Sequence, residues 1–73
     1  MELKSVDSTL MEAVGYEAAT QELEVIFTTG KTYRYVGVPR NVYAALLAAE
    51  SKGRYLHENV LNVYACYEVV RRR

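Results

Sequence analysis

Leu23-Glu24-Val25-Ile26-Phe27-Thr28-Thr29-Gly30-Lys31-Thr32-Tyr33-Arg34-Tyr35-Val36 is the stretch on which the fold turns. Its first five residues alternate, which puts Leu23, Val25 and Phe27 on one face of a half-buried strand. Thr28-Thr29-Gly30-Lys31 is a turn signal, because glycine enters positive φ at no steric cost. Thr32 to Val36 is a second run of β-branched and aromatic residues. Two such runs about a short glycine turn make an antiparallel hairpin. Its register decides what the tyrosines do. A three-residue loop (Thr28-Thr29-Gly30) sets Tyr33 opposite Val25, on the core face. A two-residue loop (Thr29-Gly30) sets it opposite Ile26, on the other face. A slip of one residue inverts every side chain, and the sequence is compatible with both registers.

Working outward, Val14-Gly15-Tyr16 reads as the middle of a further strand, with Thr20-Gln21-Glu22 as its turn. The first ten residues are polar and small, and Asp7, Ser8 and Thr9 suit the cap of a short turn ahead of Leu10. Beyond the hairpin, Pro39 suits the first turn of a helix. Val42, Tyr43, Leu46, Leu47 and Glu50 then follow the 3.6-residue period, among alanines at 44, 45, 48 and 49. Ser51-Lys52-Gly53 closes that helix, with Gly53 as a left-handed cap. A second short helix follows, with Leu56, Val60 and Leu61 inward. Val63 to Val70 reads as a closing edge strand.

The expected fold is therefore α+β. It has a small antiparallel sheet of three to four strands (about 13–18, 22–28, 31–37 and, as the fourth, 64–70). One longer helix (about 39–51) and one short helix (about 54–62) pack on it. A single domain spans 1–73, with its core in about 6–70 and Arg71–Arg73 as a basic tail.

A chain of 73 residues buries only about 60% of the surface its unfolded form exposes, so its stability margin is thin. Small domains commonly compensate with disulfides, a structural metal or a partner subunit. Cys66 is the only cysteine, which excludes an internal disulfide. Cys66 and His57 are too few for a four-ligand zinc site. A homo-oligomer is the option left. Met1-Glu2-Leu3-Lys4 lacks the apolar run of a secretory leader. The longest uncharged stretches, 41–49 and 59–67, fall far short of the ~20 residues of a membrane span. A cytoplasmic location with no membrane contact is expected. Nine basic and nine acidic side chains cancel, against a generic nucleic-acid coat protein but not against a local basic patch.

The catalytic inventory is poor. His57 stands beside Glu58 on a surface helix, Cys66 reads as a small buried hydrophobe, and the carboxylates are scattered singly. No catalytic residue, metal or cofactor is assigned, and the chain is read as a binding module rather than an enzyme. Tyrosine is the unusual feature: seven Tyr, one Phe and no Trp. In Lys31-Thr32-Tyr33-Arg34-Tyr35 and Lys52-Gly53-Arg54-Tyr55 the rings interleave with cations. Bases stack on exposed rings at about 1–3 kcal/mol each while cations follow phosphates, so this pattern suits single-stranded nucleic acid. Packing is the competing reading, with the rings in the core and the hydroxyls at its rim. Ser51-Lys52-Gly53 ahead of Arg54 has a similar pair of readings. A helix N-terminus there attracts an anion, or the residues simply end one helix and begin the next.

Taken in order, Gly15-Tyr16, Leu23-x-Val25-x-Phe27-x-x-Gly30, Tyr33-x-Tyr35, Val38-Pro39, Tyr43, Ala49-x-Ser51-x-Gly53-x-Tyr55 and Tyr64 resemble the KTSC domain family, over about residues 6–69. The resemblance implies a short bacterial and phage-associated module, found alone or at the C-terminus of some lysyl-tRNA synthetases. Its hallmark Tyr-x-Tyr corresponds to Tyr33-Arg34-Tyr35, and the synthetase linkage suggests RNA binding. One departure is local: the family tends to have Phe and Asn where this chain has Leu56 and His57. The leading expectation is RNA binding, with Tyr33, Tyr35 and Tyr55 stacking while Lys31, Arg34, Lys52, Arg54 and the arginine tail meet phosphates. Ser51 and Gly53 complete the candidate site. The alternatives are a protein-interaction module or phage-type inhibitor of a host enzyme, and an oligomer that sequesters a small nucleotide.

Overall fold

A computed structural model of the protein describes residues 2–70; the Arg71–Arg73 tail lies outside them. The elements in chain order are β1 (Leu3–Ser5), β2 (Met11–Glu17), β3 (Glu22–Phe27), β4 (Thr32–Val36), α1 (Arg40–Ala48), α2 (Lys52–Asn59) and β5 (Cys66–Val69). The strands form one antiparallel sheet in the order β1-β2-β3-β4-β5. The sheet thus has five strands, a correction to the three to four expected from the sequence. The extra one is β1. Its three residues are all exposed and carry no alternating pattern, so main-chain pairing with β2 defines it rather than burial. Val6 N–H donates to Glu12 O at 3.1 Å to continue that pairing.

The central hairpin takes the three-residue loop. Ile26 faces Thr32, Val25 faces Tyr33 and Leu23 faces Tyr35, while Gly30 sits at φ 94°. In β2 the register shifts between Met11 and Ala13, and the extra residue lets Met11 and Val14 both reach the core face. That face carries Val14, Leu23, Val25 and Tyr35, and Leu46 of α1 with Leu56 of α2 completes the core.

Both helices differ from their expected limits. Pro39 is the residue before α1 rather than inside it, and α1 ends at Ala48 because Ala49 is already extended (φ −66°, ψ 139°). Ser51 then starts α2: its Oγ accepts a hydrogen bond from the Arg54 N–H at 3.4 Å. Gly53 therefore lies within the first turn of α2 and is not a left-handed cap. Propensity alone did not locate this break, since alanines run on through it. The expectation of a buried Cys66 is also corrected. β5 is an edge strand whose first three residues are all exposed, the Cys66 thiol among them.

Candidate functional site

The structure splits the sequence-derived site into two separated groups. In the first, Tyr35 is 4% exposed and belongs to the core. Tyr33 is half-buried, with its ring edge-on to Phe27 at 6.0 Å. Burial, and then the nearby Cys66 and Tyr33 charges, push the Tyr35 hydroxyl up to about 12. Arg34 points to the opposite, helix-free face. Its Nε donates to Glu24 Oε1 at 2.8 Å and its Nη1 to Glu22 Oε1 at 3.1 Å. The Glu24 hydrogen bond, opposed by burial, and then Glu22 raise the guanidinium above its ordinary value. Tyr67 Oη donates to the other Glu22 oxygen at 3.1 Å, so this cluster ties β3, β4 and β5 together. Tyr-x-Tyr thus does not present two open rings beside a free cation. Lys31 is exposed at the end of the hairpin loop.

The second group is real as a place. Ser51, Lys52, Gly53 and Arg54 line an open cleft of about 410 Å³ against the Asp7–Leu10 loop. Ser8 shapes that loop, its Oγ accepting from the Leu10 and Met11 N–H groups at 3.1 and 3.4 Å. The cleft's charges nearly balance, because Asp7 and Glu50 stand in it with Lys52 and Arg54. Lys52 Nζ donates to Ala49 O at 3.0 Å, and Arg54 pairs with Glu58 at 3.1 Å. Tyr55 is not in this lining; its half-buried side chain packs on the core. At Gly53 an added Cβ would lie 3.6 Å from Leu10 Cβ and Ser8 Oγ, an ordinary contact. Gly53→Ala is therefore expected to stabilise the domain by about 0.5 kcal/mol through helix propensity, read as a raised urea midpoint. A loss of stability would mean that the loop cannot take the methyl.

A third feature was only partly legible in the sequence, which marked an edge strand here but not the apolar side chains gathered around it. β5 is an edge strand. The Val36 N–H donates to Ala65 O at 2.8 Å, and the register pairs Arg34 with Tyr67 and Thr32 with Val69. In an antiparallel ladder the intervening residues, Cys66 and Glu68, then direct their N–H and C=O groups away from β4. Around this edge stand Val36 (42% exposed), Val63 (59%), Tyr67 (46%) and Val70 (72%). Four of the five large exposed hydrophobic side chains among the described residues lie at this end; Leu3 is the fifth. The signal in the sequence was the pair of valines and the tyrosine around a single charge in Tyr67-Glu68-Val69-Val70.

The sequence profile of the KTSC domain matches residues 7–64. The chain belongs to the KTSC domain family. A protein of Tsukamurella paurometabola is 47% identical over 55 residues, covering 75% of this chain and 82% of that protein. One of Stutzerimonas stutzeri is 40% identical over 58 residues, covering 80% and 82%. The crystal structure of a KTSC domain protein from Yersinia pestis superposes with a TM-score of 0.92 at 28% identity, covering 94% of this chain and 97% of that one. In this KTSC domain Leu56 and His57, read from the sequence as departures from the family pattern, have different surroundings. Leu56 is fully buried, whereas His57 is exposed on α2. No helix among the described residues is long and apolar enough to cross a membrane. Among the same residues, no group of three or more His, Cys, Asp and Glu side chains comes together as a metal set.

Proposed function

We propose that this KTSC domain is a non-catalytic protein-interaction module that receives an extended segment at its β5 edge. The observation that carries this reading is the edge itself, with main-chain groups of Cys66 and Glu68 unpaired within the sheet and flanked by exposed Val36, Tyr67 and Val70. Unpaired strand edges are templates for another strand, and native proteins blunt them with charge, proline or a cover. Here Glu68 is the one charge on β5. Strand addition uses the backbone for affinity and alternate side chains for specificity. The geometry gives less support to RNA. Tyr35 offers no free ring face, Arg34 is bound to two carboxylates, and the cleft at Ser51–Arg54 has no net positive lining.

Glu68→Pro is the discriminating variant. The Glu68 N–H points away from the sheet, and proline is tolerated at such edge positions while it abolishes a donor to any added strand. The variant is expected to remain folded by circular dichroism and to lose a protein partner that the wild type retains from nuclease-treated extract. Binding that survives Glu68→Pro and disappears with nuclease or with salt would return nucleic acid to first place.

A further inference from the structure

We infer that the strand received at the β5 edge is β5 of a second copy of this chain, paired antiparallel with Tyr67 on the two-fold axis. This rests on the strand-addition reading above and names its occupant. The alternation fixes which registers are open. Cys66 and Glu68 present their N–H and C=O groups outward, so they must be the hydrogen-bonded residues of any new ladder. Three symmetric pairings meet that condition near the strand's centre. Pairing Glu68 with Glu68 of the other copy sets like charges directly opposite each other, which is destabilising. Pairing Cys66 with Cys66 draws the residues before β5, where the chain is still in a bend, into the ladder.

Only the Tyr67-centred register sets each Glu68 opposite a Cys66 and keeps the whole of β5 in the ladder. It also makes Tyr67 face Tyr67 as a non-hydrogen-bonded pair, the closest cross-strand spacing. On the same, helix-free side Val69 would meet Ala65 of the other copy. Val36 stands beside Ala65 there, so the junction is apolar on both sides of the axis. The single charge on β5 projects to the other side of the sheet, opposite Cys66 of the other copy. The two sheets become one continuous sheet across the axis, and the second copy removes the exposed edge from each. The partner is thus chosen by self-complementarity: the edge matches its own antiparallel image in charge, in apolar surface and in hydrogen bonding. A domain with so small a core and no possible internal disulfide also gains the most from such pairing.

Sedimentation equilibrium of the wild type and Glu68→Pro, followed by oxidative cross-linking, tests this. The wild type is expected to form a concentration-dependent dimer, and Glu68→Pro to remain a folded monomer. Cys66→Ser/Tyr67→Cys is expected to give a disulfide-linked dimer on mild oxidation, because residues facing each other in a non-hydrogen-bonded pair lie within disulfide range. Cys66→Ser/Glu68→Cys is expected to cross-link poorly, since its thiols are offset along the strands. A wild type that stays monomeric up to about 1 mM overturns the self-pairing. So does a dimer that survives Glu68→Pro, or one that cross-links better through position 68 than through 67. If the wild type is monomeric yet loses another protein through Glu68→Pro, self-pairing fails while the edge-docking reading stands. If Glu68→Pro leaves every interaction unchanged, both fail.

Discussion

Arg34→Ala is expected to destabilise the domain by about 2–4 kcal/mol, somewhat below the roughly 3–5 kcal/mol found when one partner of a fully buried ion pair is removed. Glu24 is fully buried, and the Arg34 Nε lies 2.8 Å from its Oε1. The guanidinium itself is partly exposed, which lets water soften the loss and places the effect below that of a fully buried pair. Glu22 loses its ion pair as well, and the tie from β3 across β4 to β5 is cut at its centre. A domain of this length has about 4–11 kcal/mol in total, so a large share is at stake. Urea denaturation reads it as a lower midpoint with the slope retained. Arg34→Met/Glu24→Leu is expected to recover part of the loss, because replacing both partners of a buried ion pair by apolar side chains costs less than removing one of them. An Arg34→Ala midpoint equal to wild type would mean that Glu24 is held by its remaining contacts alone.

The same residues show what could be read from the sequence and what could not. Leu23-x-Val25-x-Phe27 and Gly30 specified the hairpin, since alternation and a positive φ are local properties. Leu56 and Val60 were placed inward by helical period, and both are fully buried. The face occupied by Tyr33 and Tyr35 was not local: it depended on one residue of loop length, which the Val25–Tyr33 pairing resolves. β1 lacked any pattern because none of its side chains is buried. The break between the helices hid behind a favourable alanine run, and only the Ser51 cap marks it. The ion cluster was invisible for a different reason. Glu22, Glu24 and Arg34 are adjacent only once β3 and β4 are in register, and isolated charges on a strand otherwise read as solvated. The edge at β5 was expected as an edge, but the concentration of exposed apolar side chains around it depends on Val36 being its neighbour.

Tyr35→Ala is expected to cost about 3–5 kcal/mol, as truncation of a buried aromatic ring does, and to leave little folded protein. That outcome bears on function, because loss of nucleic-acid binding in an unfolded variant says nothing about stacking. Tyr35→Phe is the informative change. It keeps the ring in the core beside Leu23 and removes only the hydroxyl, so stability near neutral pH is expected to change little. The difference appears in alkali. Burial favours the neutral phenol, raising its folded pKa from the ordinary 10.0 to about 12. Between those values the unfolded chain has released the proton and the folded chain still holds it. The unfolded state then binds fewer protons, and stability falls as pH rises. The Tyr35 contribution is complete below pH 10 and gone above about 12, about 2–3 kcal/mol in all. Tyr43, also raised by burial and then by the Glu2 charge, adds to the wild-type slope in the same direction. The comparison that isolates Tyr35 is therefore wild type against Tyr35→Phe in urea between pH 9 and 12. A shallower decline in Tyr35→Phe is expected. Parallel curves would mean that the phenol ionises as freely in the folded domain as in the unfolded chain. The ring would then be open to solvent, and a stacking platform on this strand would again be the better account of the Tyr-x-Tyr motif.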